Sequence, residues 1–458
     1  MVRSGDAGPP ASPYRPGRTP VGYARRACGG STRAAASVNA TSIPDRRSGR
    51  AGGSGCRVRR DRGGARCAGA STAMLLARRG HRVLLVDRAT FPSDTLSTHY
   101  VQQPAVARLR DWGLLDRLVA TGCPPIPTYS LDFGGLALKG WPTPYDGVAL
   151  AYGPRRIVLD ELLVEAAGEA GAVVGTGFSV DGLVEEGGQV TGIRGRTAAG
   201  AAVVERARLV VGADGLHSAV AKAVDAPVYD DRGTYQCGYY TYWSGVPVDG
   251  FQAYVRAPLG VAANPTHDGL TCIPVVFPRS RFKQVRADIE RHCLQAIDLT
   301  PLGEQVRQQG RREDRWYGTG DLPNRFRRPY GPGWALVGDA GYYQDPVTAH
   351  GITNAFRDAE LLAEAVGRGL GGDAPMDVAL AEYHRRRDDA ARPMFELTCQ
   401  FAAMEPPSAD TLELLGALQG NQPATDRYFG ILAGSFEVDD FFAPDHVAEV
   451  LAVARAPT

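Results

Sequence analysis

Three islands of glycine and aspartate hold the residues whose chemistry can be read from type and spacing. The first is Gly64-Ala65-Arg66-Cys67-Ala68-Gly69-Ala70, followed by an alanine- and leucine-rich helix to about Arg79, a turn at Gly80 and a strand from His81 to Asp87. Glycine at 64 and 69 permits a tight turn and close packing of helix on strand, and the helix N-terminus offers N–H groups to a pyrophosphate. Asp87, with Arg88 beside it, stands where an acidic residue accepts the ribose hydroxyls of a dinucleotide, although a helix cap or a surface acid would look the same. Arg66 replaces the middle glycine of the usual GxGxxG, and its side chain either supplies a counter-charge to phosphates or obstructs them. Cys67 reads as a small packing residue rather than a reactive thiol.

The second island, Leu209 to Ser218, is a short apolar strand ending in Asp214-Gly215. The third, Trp334 to Gly341, is another such strand ending in Gly338-Asp339. After it come Pro346, Gly351, Asn354 and a helix over Phe356 to Val366, with Ile352, Ala355, Phe356, Ala359, Leu362, Ala363 and Val366 on one stripe. His350 is the candidate catalytic residue, a proton donor by its ordinary pKa, and it fits equally as a structural histidine. His99, in Leu96-Ser97-Thr98-His99-Tyr100, is a second candidate.

Each island alone fits a strand-end turn. In this order they resemble the flavoprotein hydroxylase superfamily typified by para-hydroxybenzoate hydroxylase, which also includes geranylgeranyl reductases and flavin halogenases. The resemblance runs from Gly64 to about residue 400. It implies an α/β fold: an FAD-binding Rossmann-like domain, an interleaved mixed-sheet substrate domain and a helical C-terminal region, with one FAD lying across the first. By that likeness the loop Gly64 to Ala70 holds the pyrophosphate, Asp87 the adenosine ribose, and Gly338 and Asp339 a ribitol hydroxyl. Arg156 matches the family's arginine near the pyrophosphate, or is a helix-surface residue, and Asp214 makes the turn linking flavin and nicotinamide sites.

A helix opening after Pro346, with Gly351 in its first turn, would aim N–H groups and a positive dipole end at the anionic edge of a reduced flavin. The family's Gly-Gln-Gly is Ala349-His350-Gly351 here, and its Gly-Asp-Ala-Ala-His is Gly338-Asp339-Ala340-Gly341-Tyr342. A single dinucleotide fingerprint leaves NAD(P)H as a transient electron donor bound in a cleft. The Trp-x-Trp-x-Ile-Pro signature of flavin halogenases is absent, which argues against halogenation. The expected activity is NAD(P)H-dependent monooxygenation of an apolar or aromatic small molecule. The alternatives are saturation of isoprenoid double bonds and, in another class, a non-catalytic product that has lost its first strand.

The chain that must position these islands has 458 residues, 44% hydrophobic and 22% charged, with a formal charge of +1. That is ordinary globular usage with enough apolar material for two or three domains, and it offers no field to gather nucleic acid. No stretch is apolar enough for a membrane span. Eight cysteines without CxxC or zinc spacing imply no metal and a reduced, cytoplasmic setting. Residues 64–225 and 329–404 are expected to form the FAD-binding domain. Residues 226–328, with strands over Gln236 to Trp243 and Gly269 to Phe277 and a helix near Ser280 to Leu299, form the substrate domain. Residues 405–458 are a helical tail, suited to a lid or a homodimer contact. Tyr239, Tyr240, Tyr242, Trp243, Trp316 and Tyr317 either line an apolar pocket or pack a sheet face.

Residues 1–63 carry thirteen arginines against three acids and no hydrophobic period, and are expected to be disordered. A targeting segment and a nucleic-acid-binding arm are weighed and not favoured. A βαβ unit needs its first strand just before Gly64, where the chain reads Val58-Arg59-Arg60-Asp61-Arg62-Gly63. Read one base later, codons for that hexapeptide give Tyr-Asp-Val-Ile-Val-Val, so the segment is expected to be out-of-frame translation. A divergent extension is the alternative.

Overall fold

A computed structural model describes residues 64–455 of the chain. The expectations for residues 1–63, the replaced first strand among them, lie outside the described residues.

Helix α1 (Cys67–Arg78) starts on the first glycine loop. Its small residues let neighbours approach closely, so Cys67 and Gly69 through Ala77 are all buried. Strand β1 (Leu84–Asp87) is buried at all four positions, as expected of a strand covered on both faces. It begins at Leu84 rather than His81 because His81 and Arg82 still reach solvent. Next come β2 (Tyr129–Asp132), β3 (Ala137–Gly140), α2 (Arg156–Glu169) and β4 (Val173–Thr176), and then, beyond a small antiparallel sheet over 179–206, β5 (Val210–Gly212). Strands β6 (Gln236–Ser244), β7 (Phe251–Arg256), β8 (Leu259–Pro265) and β9 (Thr271–Pro278) follow, then β10 (Pro323–Arg327) and β11 (Trp334–Leu336). The chain continues through α3 (Gly351–Gly371) and α4 (Met376–Ala402), and its last helices are α5 (Ala409–Leu418), α6 (Gln422–Ala433) and α7 (Pro444–Arg455).

β1 pairs in parallel with β4, and β5 in parallel with β11. Both pairs feed the same two apolar layers. Leu85, Val211, Ala335 and Val337 pack with α1, α2 and α3 in one, while Leu84, Val86, Val210 and Leu336 pack in the other with the 179–206 sheet. This is the doubly wound α/β arrangement, with the glycine loop and the two Asp turns at the carboxyl ends of the strands, where ligands of such sheets bind.

The region expected to form the substrate domain holds an eight-stranded mixed sheet, and that sheet is not confined to 226–328. Strand β2 pairs in parallel with β7, and β3 lies outside β2, so residues from the first part of the chain complete the sheet. Tyr-Ser-Leu-Asp and Ala-Leu-Lys-Gly are too short and too mixed to announce this crossing. The helix expected over Ser280 to Leu299 is two helices, Phe282–Ala287 and Ile289–Ile297, broken at Asp288, whose side chain caps the second.

Helix α3 is longer than its apolar stripe suggested and stops at Gly372, which adopts φ +89, a left-handed cap glycine takes without strain. The tail is no loose appendage. Leu414, Leu418, Tyr428, Phe429 and Phe441 share a core with Tyr129, Leu131 and Leu138 of β2 and β3, so the last helices roof the edge of the eight-stranded sheet. No helix among the described residues is long and apolar enough to cross a membrane.

Candidate active site

The three islands converge. A cleft of about 570 Å³ is lined by Arg66, Cys67 and Ala68 from the first, Ala213, Asp214 and Gly215 from the second, and Val337, Gly338 and Asp339 from the third. Two glycines set the approach. A Cβ at Gly69 would stand 1.6 Å from the Gly64 carbonyl oxygen, so the loop closes only without one. Gly338 has φ +60, and a Cβ there would lie 2.8 Å from Cβ of Ala68, which seats the third island on the first. At Gly351, by contrast, a Cβ would meet open space, and Gly351, Ile352, Asn354 and Ala355 present the start of α3 to the cleft.

That start lies later than the sequence implied. Pro346 opens a single 3₁₀ turn capped by Asp345, whose carboxylate accepts the Val347 N–H at 3.0 Å, and Ala349 in the left-handed region ends it. The helix then begins at Gly351.

Asp87 is buried but does not line the cleft. Its Oδ2 accepts the Ala65 N–H at 2.9 Å and its Oδ1 the Ala89 N–H at 2.7 Å. Burial raises its pKa while both backbone donors pull it back down. These two bonds tie the glycine loop to the turn that follows β1. Arg88 is exposed and outside the cleft wall.

A residue that sequence reasoning missed, Asp160, organises the phosphate end. It is fully buried and accepts Nη1 of Arg66 at 2.8 Å and both Nε and Nη2 of Arg156 at 3.0 Å. Cys67 Sγ donates to it at 3.4 Å. Arg66 therefore does not obstruct the loop. It leans away, with further bonds to the Ser93 carbonyl (3.2 Å) and Ser93 Oγ (3.2 Å). Two guanidinium groups on one carboxylate leave a net positive charge beside the α1 N-terminus, which suits a pyrophosphate. Burial works against the charge on Arg156, yet Asp160 outweighs it and the pKa is raised. Burial pushes the Cys67 thiol far up, so it stays protonated and packs. The signal for Asp160 was its place one turn after Arg156, between Leu159 and Leu162 on a buried face.

Asp214 accepts Oγ–H of Ser218 and the Ala219 N–H, both at 2.5 Å, and so pins the turn at the cleft floor. Asp339 opens on the cleft although protein surrounds it. That crowding pushes its carboxyl up to about 6, Arg156 opposes the shift, and Asp358 adds to it.

His350 departs from its candidate role. Its side chain turns away from the cleft, and Nε2 donates to the Leu432 carbonyl at 3.0 Å, tying α3 to α6. Burial lowers its pKa to about 4, so it is neutral and structural. His99 is also fully buried, with φ +65. Its Nδ1 accepts the Arg156 N–H at 3.1 Å, which leaves Nε2–H for the hydroxyl of Tyr242. It positions the start of α2 against β6.

The expected aromatic pocket divides by strand alternation. Tyr239 and Trp243 face the core against the 282–297 helices, while Tyr240 and Tyr242 face His99, Tyr240 stacked on Tyr317 and Tyr242 meeting it edge-on. None of them lines the cleft, whose aromatic wall is Tyr100, Tyr342 and Tyr343.

Fold and site define a flavoprotein of the Rossmann-like kind. The chain belongs to the FAD binding domain family (FAD_binding_3), which matches residues 64–398. It is 34% identical over 168 residues to 6-methylpretetramide 4-monooxygenase of Streptomyces rimosus, covering 36% of this chain and 39% of that protein. It is 25% identical over 336 residues to tryptophan 2-halogenase of Chondromyces crocatus, covering 69% of this chain and 62% of that one. The chain thus spans less than two thirds of either curated relative. The structure of the myxobacterial chondrochloren halogenase CndH superposes with a TM-score of 0.69 at 22% identity, over 86% of this chain and 96% of that one.

The residues fit FAD. Arg66, Arg156 and the α1 N-terminus suit its pyrophosphate, Asp339 a ribitol hydroxyl, and the open space at Gly351 the ring system. When bound, FAD supplies hydride acceptance and oxygen chemistry. The protein supplies binding, charge stabilisation and a partly dry wall.

Proposed function

We propose that the protein is an NAD(P)H-dependent flavin monooxygenase that hydroxylates an apolar or aromatic small molecule. One juxtaposition carries the reading. A second cavity of about 660 Å³ shares Leu216, His217 and Asp321 with the FAD cleft and presents Lys222, Arg325 and Arg327. Arg325 and Arg327 alternate onto one face of β10, and among the described residues neither pairs with a carboxylate; their bonds go to the carbonyls of Leu216 (3.2 Å) and Ala340 (3.5 Å). Burial and the neighbouring Arg325 lower the pKa of Arg327, and the carboxylates of Asp214 and Asp231 oppose that shift without cancelling it. Phosphate groups of a transient nucleotide donor add negative charge there within reach of the flavin. The wall of Tyr100, Tyr342, Tyr343 and Ile352 suits an apolar acceptor.

The likeness to tryptophan 2-halogenase favours halogenation as a second reading. Oxygen uptake with NADPH and candidate aromatics separates the readings. Substrate-dependent uptake with a hydroxylated product supports oxygenation, while a product formed only with added chloride or bromide supports halogenation. Turnover confined to anaerobic conditions supports double-bond reduction.

A further inference from the structure

The described strands of the parallel sheet form two groups. β1 pairs with β4, β5 pairs with β11, and no described strand joins β1 to β5. Yet the two groups alternate into the same pair of layers, Leu85 with Val211 on one face and Leu84 and Val86 with Val210 on the other. Strands share both layers in this way when they belong to one sheet. The carboxyl ends of the inner edges also meet at one residue. A Cβ on Gly64 would stand 2.6 Å from the Val86 carbonyl oxygen, and Gly64 abuts Gly69, which in turn abuts Ala213 just past β5. Gly64 therefore stands between the carboxyl ends of β1 and β5.

We infer that in the working protein the residues immediately before Gly64 are the central strand of this sheet, reading Tyr-Asp-Val-Ile-Val-Val in place of Val58 to Gly63. A strand flanked on both edges and covered on both faces takes continuous apolar side chains. Arg59, Arg60, Asp61 and Arg62 would bring four charges there, between faces that β1, β5 and their neighbours build from apolar side chains.

The genetic code connects the two hexapeptides. GTA CGA CGT GAT CGT GGT is a coding of the chain as written, and the same bases read one position later are TAC GAC GTG ATC GTG GT, which give the apolar strand. Each complete shifted codon ends in G or C. That matches a gene whose product has only three lysines among 51 basic residues. A single G missing from the G run at the Gly64 codon joins the two frames, and the arginine, glycine and alanine of residues 1–63 are what such a gene yields out of frame.

Two measurements test this. The first is the nucleotide sequence across the Gly64 codon, together with the mass of the matching peptide from the natural protein. One additional G and the apolar hexapeptide are expected, and a natural peptide containing Val58 to Gly63 as written overturns the inference. The second purifies the chain as written beside the restored chain. The restored chain is expected to keep one FAD and to unfold at a higher temperature, with the chain as written colourless. Equal FAD retention and equal unfolding temperature overturn it. Only the FAD readout rests on the proposed function. A restored chain that binds FAD but never oxidises NAD(P)H leaves the strand standing and removes the monooxygenase reading.

Discussion

Arg156 and Asp160, one helical turn apart on α2, are joined by two hydrogen bonds of 3.0 Å, with the carboxylate fully buried. Because Arg66 leans on the same carboxylate, removing its charge strands two cations. Breaking a buried pair from one side typically costs about 3–5 kcal/mol. Asp160→Asn keeps the shape and removes the charge, so it should weaken FAD binding by at least roughly tenfold, about 1.4 kcal/mol, and lower the melting temperature by several degrees. Fluorescence titration with FAD and thermal unfolding of the apoprotein check both. Unchanged values would mean that Asp160 is a bystander.

Gly338→Ala should act differently. The added Cβ meets Ala68 at 2.8 Å in a backbone at φ +60, so the strain falls on the contact between the first and third islands. A non-glycine residue held there costs on the order of 1–3 kcal/mol. The variant should fold with modestly reduced stability and lose FAD on gel filtration, whereas Gly351→Ala, which faces open space, should fold as stably as the parent. Equal FAD retention by Gly338→Ala and the parent would refute the arrangement.

These residues also mark where sequence reading succeeds. Gly64, Gly69 and Gly338 were legible because a glycine requirement is local: the backbone turn or close approach demands it. Apolar runs at Leu84 to Val86, Val210 and Leu336 announced buried parallel strands for the same reason. Asp160 was missed, and Asp87 and His350 stayed open between two readings, because the partner of a polar side chain is set by tertiary packing. Nothing in the text near His350 says that it will meet Leu432. Likewise β2 and β3 gain their sheet from β7, far along the chain, and Tyr239 to Trp243 split between two faces by an alternation that composition does not reveal.

The pH dependence of stability follows from the histidines. The pKa of His350 falls from 6.5 to about 4 on burial, and those of His99 and His267 fall as well, chiefly through burial. The unfolded chain therefore binds more protons than the native one below pH 6.5. Stability from this source is complete above about 6.5 and is lost progressively as the pH falls towards 4, by about 3 kcal/mol for His350 alone. His350→Gln, whose amide can still donate to Leu432, should flatten part of that acid slope in denaturant titrations at pH 7 and 4.5. Its kcat should stay within about twofold of the parent. A large drop in kcat with an unchanged slope would restore the catalytic assignment.

The second cavity gives the last prediction. If Lys222, Arg325 and Arg327 meet the phosphates of the reductant, Arg325→Ala and Arg327→Ala should raise KM for the nucleotide by roughly tenfold, the loss of about 1.4 kcal/mol of binding. FAD affinity should hold, because neither residue lines the FAD cleft. The parent's KM should climb with added salt, since phosphate contacts are screened, and the variants should show a weaker climb. Stopped-flow reduction of the flavin under anaerobic conditions isolates this step from the oxygen reaction. A reduction rate at saturating nucleotide that matches the parent, with a weakened half-saturation, marks these arginines as docking groups, whereas an unaltered half-saturation in both variants removes the cavity from the reductive half-reaction.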